Sequence, residues 1–245
     1  MYRNRCLWVF IVCCISELES KRELPTFLKP CHRNNQLNDC IKKTMLELKP
    51  ELAKGIPAMK IPPLHPLHLP KLDTSHDNIE LVFINYNIEP MEDYTIKNVQ
   101  MDLEKCELFL DLFYPNLVTY GDYRVKGQLL LFQLDGQGKI FLNFTDTSLT
   151  TKVKCNKITK NGKEYADFTN LDSKVTIASF RLDLTDLFKD NTELTKNTVA
   201  VFNENSKELL NEFENVIGIA VGQGITLQIV QSVFKLFPLD VILPQ

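Results

Sequence analysis

Few residues of this chain have types and spacings that could carry out chemistry. Its four histidines are His32, His65, His68 and His76, and none lies in the His-Glu-x-x-His pattern that places two metal ligands on one helix face. His65 and His68 are close enough in sequence for a two-histidine metal site, but no helical motif or carboxylate cluster accompanies them. The sequence therefore favours hydrogen-bonded polar groups on an extended loop, and no metal site is predicted.

Catalytic and phosphate-binding motifs are weak. The stretch DGQGK at residues 135–139 has the glycines of a phosphate-binding loop, but it lies between two alternating segments rather than between a strand and a helix. We therefore predict a hairpin turn there. No Gly-x-Ser-x-Gly elbow occurs and no carboxylates form a convincing catalytic pair, so the prediction is a protein that is not an enzyme and needs no cofactor. A hydrolase stays as a third hypothesis, which requires a nucleophile with a base in reach.

The N-terminal segment predicts export. Residues 1–16 place two arginines before an apolar run and end on the small residue Ser16, which is the layout of a secretory signal peptide. We expect cleavage after Ser16, or as late as Ser20. The run is shorter than the roughly 20 residues of a membrane-spanning helix, so we predict no membrane span and a soluble, extracellular chain of residues 17–245. Loss of the two arginines changes the formal charge from −3 to −5, which argues against a nucleic-acid partner.

Four cysteines remain after the signal peptide, in a compartment where disulfides form. Cys31 and Cys40 would close a short loop and are a natural pair; reduced buried thiols are the disfavoured alternative. Cys106 and Cys155 fall in predicted strands, and the sequence leaves open whether they pair or stay free. Asn143, in the sequon Asn-Phe-Thr, is a candidate glycosylation site on an outward strand face, with an unmodified strand residue as the alternative.

One long apolar helix is the element around which the rest of the chain is predicted to fold. Residues 203–238 begin polar and acidic, then repeat apolar residues at helical spacing until Pro238. Asn203 or Asn205 is the predicted N-cap, and the helix would be roughly 50 Å long. Because nearly every residue after Val216 is apolar or small, other elements must cover this helix. Three glycines within it either open a cavity beside the helix or allow close helix–sheet contact: Gly218, Gly222 and Gly224.

The upstream sequence predicts the elements that would cover the helix. An amphipathic helix is expected over residues 37–54, with a bend at Pro50. Residues 55–72 combine prolines with isoleucine and leucine, which predicts an extended segment packed on apolar surface. Residues 77–187 alternate with period two, with a hairpin turn at residues 160–163. Because no strand–helix alternation occurs, the predicted class is α+β, with a strongly curved antiparallel sheet around the C-terminal helix.

Three motifs, in order, carry a resemblance to a known family. They are LKPELAKGIPAMKIPPLHPLHLPKL after the first cysteine pair, then GDYRVKGQLLLFQLDGQGK, then the terminal FKLFPLDVILP. Together they resemble the takeout and juvenile-hormone-binding protein family of insects, over essentially the whole chain of residues 17–245. The resemblance implies one domain in which a curved antiparallel sheet wraps a long helix, like half of bactericidal permeability-increasing protein. It also implies that Cys31 and Cys40 form the family's disulfide.

The implied function is carriage of juvenile hormone, a fatty acid or a related lipid by a secreted monomer, in a tunnel between helix and sheet, with a link to circadian rhythm. Tyr123 is of interest in that tunnel because an inward hydroxyl could hold a ligand's ester or acid group. The alternative function is a secreted interaction or signalling module whose core is filled by its own side chains. The predicted tunnel-lining residues are Leu108, Leu110, Leu112, Tyr123, Val125, Leu129, Leu131, Phe213, Ile217, Val221, Ile225 and Phe234.

Overall fold

The computed structural model describes residues 24–76 and 78–245. The predicted signal peptide lies outside these residues. In chain order the elements are α1 (Leu37–Glu47), α2 (Lys49–Lys54), a 3₁₀ turn (Pro57–Met59), β1 (Leu67–Asp73), β2 (Ile79–Glu89), β3 (Thr95–Asp102), β4 (Glu107–Leu129), β5 (Phe132–Lys160), β6 (Lys163–Leu184), α3 (Thr192–Glu204), α4 (Ser206–Val221), a π-helical turn (Gly222–Thr226), α5 (Leu227–Phe234) and α6 (Leu239–Ile242).

The strands form one antiparallel sheet, which confirms the predicted class. Within the described residues the strand order is β1-β2-β4-β5-β6, and β3 pairs with β4 beyond the end of β2. The strands β4, β5 and β6 have 23, 29 and 22 residues, and bulges interrupt the pairing of β2, β3 and β5. Strands of this length twist, and bulges bend them. The sheet is curved but not closed, because β1 and β6 are its two edges.

Alternation within β4 places apolar side chains on the inner face of the sheet. Leu108, Leu110, Leu112 and Tyr114 are buried, and the residues between them are more exposed. The strand β4 continues through Pro115. A proline removes a backbone donor from a ladder. On one side of β4 the paired strand changes from β3, which begins opposite Phe113, to β2, which ends opposite Val118, so Pro115 lies where no neighbour on that side needs its N–H.

The predicted hairpin turn at residues 135–138 is wrong. These residues lie inside β5, and the turn between β4 and β5 is formed by Leu130 and Leu131 instead. A Cβ at Gly136 would lie 2.3 Å from the carbonyl oxygen of Leu187, and one at Gly138 would lie 2.4 Å from that of Thr185. Glycines are therefore needed here because the chain leaving β6 crosses closely over β5, not because the backbone turns. The Asn161–Gly162 turn between β5 and β6 is confirmed.

The C-terminal helical region starts earlier than predicted. A further helix, α3, precedes the predicted one, and Asn191 caps it, since its side-chain oxygen accepts a hydrogen bond from the backbone N–H of Leu194. Asn205, one of the two predicted N-cap residues, occupies the N-cap position of α4, but its side chain makes no capping hydrogen bond and donates instead to the carbonyl of Val201. The predicted start at residues 203–205 is therefore the start of α4, and α3 was not predicted.

The long apolar helix over residues 206–234 packs mainly against β6 and keeps one side exposed. Helix Ser206–Phe234 has 29 residues and is, by length and composition alone, apolar enough to cross a membrane, and 24% of its most apolar window is buried. Ile219 is 47% exposed. The expectation of cover on all sides is therefore wrong, because an open sheet cannot enclose a helix completely.

Two of the three helix glycines lie where the helix meets β6. A Cβ at Gly218 would be 3.2 Å from the carbonyl oxygen of Ser173, and a Cβ at Gly222 would be 2.4 Å from the Cβ of Ser173. Both therefore allow close helix–sheet packing. A Cβ at Gly224 would meet nothing within 4 Å, so this residue serves neither of the two purposes considered from the sequence.

Candidate functional site: two adjoining apolar cavities

The first cavity lies between the inner face of the sheet and the helices α3 and α4. Its volume is about 200 Å³, and its walls are almost entirely apolar side chains from β1, β2, β4, β5, β6 and the two helices. The alternation of the strands supplies one wall, and the apolar face of α4 supplies the other. Six of the residues predicted to line a tunnel surround it: Tyr123, Val125, Leu129, Phe213, Ile217 and Val221.

A second cavity of about 190 Å³ lies toward the other end of the sheet. Its walls come from the N-terminal segment, α1, the proline-rich segment, β3, β4 and α5. Five further predicted residues line it: Leu108, Leu110, Leu112, Ile225 and Phe234. The structure thus divides the predicted set between two cavities rather than along one tunnel.

Leu131 lines neither cavity, which corrects the prediction made for it. The side chain is 94% exposed in the turn between β4 and β5. The sequence prediction extended the inward alternation of β4 two residues too far, because it placed the turn at residues 135–138.

Several lining residues of the second cavity were not among those predicted. They include Ile41 and Met45 of α1 and Ile56, Ile61 and Leu64 of the proline-rich segment. The signal that could have found them was present, since an amphipathic helix face and a proline-rich segment dense in isoleucine and leucine both predict burial.

Two side chains belong to the walls of both cavities. Met91, just after β2, and Tyr114, in β4, line each of them. The ring of Tyr114 packs edge-on against that of Tyr94, with centroids 6.3 Å apart, and the Tyr94 hydroxyl donates to the Met45 carbonyl at 2.8 Å. Burial raises the pKa of Tyr114 well above its ordinary value, with smaller contributions from nearby Tyr94 and Glu92. Met91 and Tyr114 form the boundary between the two cavities.

Most polar groups around the first cavity already have protein partners. The hydroxyls of Tyr86 and Thr119 are 2.6 Å apart, and the Tyr123 hydroxyl donates to the Thr185 carbonyl at 2.7 Å. Burial raises the pKa of Tyr123, so the hydroxyl stays protonated near neutral pH. Since its proton is engaged, Tyr123 could offer a ligand only its acceptor lone pairs, which is less than the sequence suggested.

The histidines take structural positions in this architecture. The ring of His65 hydrogen-bonds the Glu92 carboxylate at 2.7 Å, and that of His68 hydrogen-bonds the Asn87 side chain at 3.1 Å. His76 packs edge-on against Phe213, with ring centroids 4.9 Å apart, and so joins the β1–β2 connection to α4. Within residues 24–76 and 78–245, no group of three or more His, Cys, Asp and Glu could hold a metal ion.

Both cysteine pairs are disulfide-bonded. Cys31–Cys40 is confirmed. The structure also pairs Cys106 with Cys155, which the sequence left open. Asn143 lies in β5 opposite Val118 and is half-buried. Its glycosylation stays a prediction.

The fold is therefore a curved, open antiparallel sheet with two apolar cavities between its inner face and the helices. The sequence profile described as "Haemolymph juvenile hormone binding protein (JHBP)" matches residues 7–244. The chain belongs to the haemolymph juvenile hormone binding protein family.

Individual relatives are distant in sequence but similar in extent. The chain is 23% identical over 247 residues to "Circadian clock-controlled protein daywake" of Drosophila melanogaster, covering 96% of this chain and 94% of that protein. The Drosophila yakuba protein of the same name matches equally. Takeout 1 of Epiphyas postvittana has a similar crystal structure, with a TM-score of 0.78 at 18% identity, over 88% of this chain and 99% of that one. This likeness shows the fold.

Proposed function

We propose that this protein is a secreted carrier that binds a hydrophobic small molecule, such as juvenile hormone, a fatty acid or a related lipid, between its helices and its sheet. The observation that carries the proposal is the pair of adjoining cavities of about 200 and 190 Å³ with almost wholly apolar walls. Apolar ligand surface gains about 25 cal/mol per Å² when it leaves water. Binding is therefore driven by burial, with few polar groups to fix orientation.

Family membership supports the same function. The family's description names juvenile hormone binding, and the matched relatives are described as circadian clock-controlled. Two disulfides suit an oxidising extracellular compartment. In this proposal the protein acts outside the cell as a monomeric carrier rather than as an enzyme.

The rival function is a secreted interaction or signalling module with a core filled by its own side chains. Protein interiors are close-packed, and they contain few voids larger than a water molecule. Two cavities of about 200 and 190 Å³ are difficult to reconcile with such a core. The carrier function is therefore the better supported.

Lipid binding can be tested on the secreted protein directly. The protein would be purified from insect-cell medium, extracted with organic solvent for mass spectrometry, and then titrated after delipidation with a fluorescent fatty acid. We expect a co-purified lipid or saturable uptake. Neither lipid in the extract nor uptake by the delipidated protein would overturn the carrier function.

A matched pair of variants locates the binding. Val125 lines the first cavity, and its neighbour Lys126 is exposed on the opposite face of β4. Val125→Phe should fill cavity space and weaken uptake at least tenfold, whereas Lys126→Phe should leave it within twofold. Circular dichroism would verify that both variants are folded. If both then changed lipid uptake equally, the lipid would bind outside the first cavity.

A further inference from the structure

The end of the β5–β6 hairpin carries a cluster of basic residues. Residues 147–163 contain no acidic residue, and five of them are lysines: Lys152, Lys154, Lys157, Lys160 and Lys163. Lys152 forms a salt bridge with Glu107 at 2.8 Å, whereas the other four form none with any residue that the structure describes. The formal charge of the whole chain is −3, so these lysines are a local excess of positive charge on an anionic protein.

The basic end of this hairpin extends beyond β4, its neighbour in the sheet. β4 begins at Glu107, opposite Lys154, and the pairing of β5 with β6 continues from there to the turn at residues 161–162. At about 3.3 Å per residue, residues 155–160 reach about 20 Å past the start of β4. The Cys106–Cys155 disulfide fixes the base of this extension to the rest of the sheet. An anchored, projecting hairpin presents its charges to a partner outside the molecule.

Two of the lysines are in positions that destabilise the hairpin. Lys160 and Lys163 are directly opposite each other across the turn, and like charges in that arrangement repel. Side chains alternate along a strand, so Glu164 lies on the other face of the hairpin. Asp167 lies on the same face but is already paired with Lys235 at 3.1 Å. An anionic partner at the turn would offset the repulsion between the two lysines.

Apolar side chains accompany these lysines on the same face. Ile158 and Tyr165 form the cross-strand pair two residues from Lys160 and Lys163, and both are half-buried. The Nζ atom of Lys160 lies 5.9 Å from the centre of the Tyr165 ring. Tyrosine is enriched at membrane–water interfaces, and clustered lysines are attracted to anionic lipid headgroups. The combination fits a bilayer surface, which offers anionic headgroups and apolar chains together, better than a soluble polyanion, which offers charge alone.

We propose that the end of the β5–β6 hairpin, residues 154–165, docks on membranes that contain anionic phospholipids. At physiological ionic strength, exposed charges more than about 8 Å apart are largely screened from each other. The acidic residues elsewhere on the protein therefore do not prevent its basic end from binding an anionic surface. Instead, they orient the molecule, because the hairpin end is the part that the surface attracts.

This orientation brings the second cavity, rather than the first, toward the membrane. Leu108 of its wall is opposite Val153, at the base of the extension. Phe234 of its wall packs against Phe168 of β6, with ring centroids 4.9 Å apart. Docking goes beyond the carrier function, and it places this cavity next to the bilayer from which an apolar ligand is taken or to which it is delivered.

Vesicle sedimentation of the delipidated secreted protein tests the docking. Vesicles of phosphatidylcholine alone would be compared with vesicles that also contain phosphatidylserine, each at low and at physiological salt. We expect binding to the anionic vesicles only, and weaker binding at the higher salt concentration. The double variant Lys160→Gln/Lys163→Gln should weaken this binding at least tenfold, since each lysine near an anionic surface contributes about fivefold. The control Lys126→Gln/Lys189→Gln removes the same charge from exposed positions at the other end of the sheet and should keep the binding within twofold.

A fluorescent reporter distinguishes a bilayer from other anionic partners. Trp8, the one tryptophan of the sequence, lies in the predicted signal peptide, so Tyr165→Trp gives the secreted chain a single tryptophan at the hairpin. Its emission should shift to shorter wavelength with anionic vesicles and not with heparin, because only the vesicles offer the ring an apolar environment.

Three results would overturn the docking proposal: no binding to anionic vesicles, vesicle binding without the emission shift, or equal binding by the two double variants. Uptake of the fluorescent fatty acid in solution provides the separate measurement of the carrier function. Lys160→Gln/Lys163→Gln should keep this uptake within twofold, because neither lysine lines a cavity. Loss of docking with normal uptake in this variant supports the proposal, and absence of uptake by the wild type would overturn the carrier function alone.

Discussion

Two glycines of the C-terminal helix differ in whether the absence of a side chain is needed for packing against β6. Gly222 and Gly224 are two residues apart in the same helical turn, but only Gly222 faces β6, where a Cβ would lie 2.4 Å from the Cβ of Ser173. The position of Gly224 is open. Sequence alone gave both residues the same alternatives, because helical spacing does not say which of two glycines faces a neighbouring strand.

This difference predicts opposite effects on stability. Gly224→Ala should raise the free energy of unfolding by about 0.5–1 kcal/mol, since alanine favours helix over glycine and meets no atom within 4 Å. Gly222→Ala should lower it by about 1–3 kcal/mol through overpacking against β6. Urea denaturation of the two variants beside the wild type measures both. A gain in stability for Gly222→Ala would show that the helix–sheet contact is looser than described.

The buried tyrosines predict a loss of stability at alkaline pH. Burial raises the pKa of Tyr86, Tyr94 and Tyr114 above the ordinary value of about 10. The folded state therefore holds these protons more tightly than the unfolded state. Their contribution is fully present below pH about 10 and is lost as pH rises from there toward the folded-state pKa values.

Each such tyrosine should contribute about 1.4 kcal/mol per pH unit to that loss. Tyr86→Phe removes one titrating group, so the fall in the free energy of unfolding between pH 10 and 11.5 should be smaller by about 1–2 kcal/mol. Urea melts at pH 8, 10, 11 and 11.5 provide the comparison. An identical slope in wild type and Tyr86→Phe would mean that Tyr86 ionises without unfolding.

At the level of elements, strand and helix types were predictable but several boundaries were not. Period-two alternation identified the inner face of β4, and the Asn161–Gly162 signal located the β5–β6 turn correctly. The β4–β5 turn was misplaced because its residues, Leu130 and Leu131, lack turn chemistry, whereas Gly136 and Gly138 have it for another reason. That reason is a close crossing by a chain segment about 50 residues later in the sequence, which local pattern cannot reveal.

For the candidate site, the sequence predicted most lining residues but not the division of the interior into two cavities. Alternation and helical spacing select inward-facing residues, and eleven of the twelve predicted side chains line a cavity. Spacing does not reveal that Met91 and Tyr114 divide the interior, since that depends on which strands and helices meet across it. The partner of the Tyr123 hydroxyl depends equally on tertiary contacts.

We expect the two disulfides to contribute unequally to the free energy of unfolding, because they close loops of different length. Cys106–Cys155 ties the residue just before β4 to β5 across a separation of 49 residues, and Cys31–Cys40 spans 9. In the chain-entropy account, the longer loop stabilises by about 4 kcal/mol and the shorter by about 2.5 kcal/mol. Double alanine variants of each pair, compared by denaturant unfolding, should show that order. The reverse order would point to strain or to residual structure in the unfolded chain.

At the level of the whole molecule, the sheet is open, one helix face is exposed and two cavities lie in the interior. A bound ligand would fill these cavities and stabilise the folded state. Because the cavities leave wall atoms without neighbours, the empty protein forgoes dispersion contacts that a bound chain would restore. A ligand that binds only the folded state also stabilises it by mass action, by about 2.7 kcal/mol at a free concentration of 100 Kd. For a chain of this length, 1 kcal/mol corresponds to about 2–4 °C in Tm.

We therefore expect the delipidated protein to melt about 5–10 °C below the protein saturated with its lipid. Differential scanning calorimetry of the extracted and reloaded protein measures this difference. Val125→Phe should show a much smaller one, because its ring occupies part of the first cavity before any lipid arrives, whereas Lys126→Phe should respond as the wild type does. Mass spectrometry would first show that the lipid is bound. If the melting temperatures with and without this lipid were then equal, the ligand would bind folded and unfolded chains alike, and the interior cavities would not be its site.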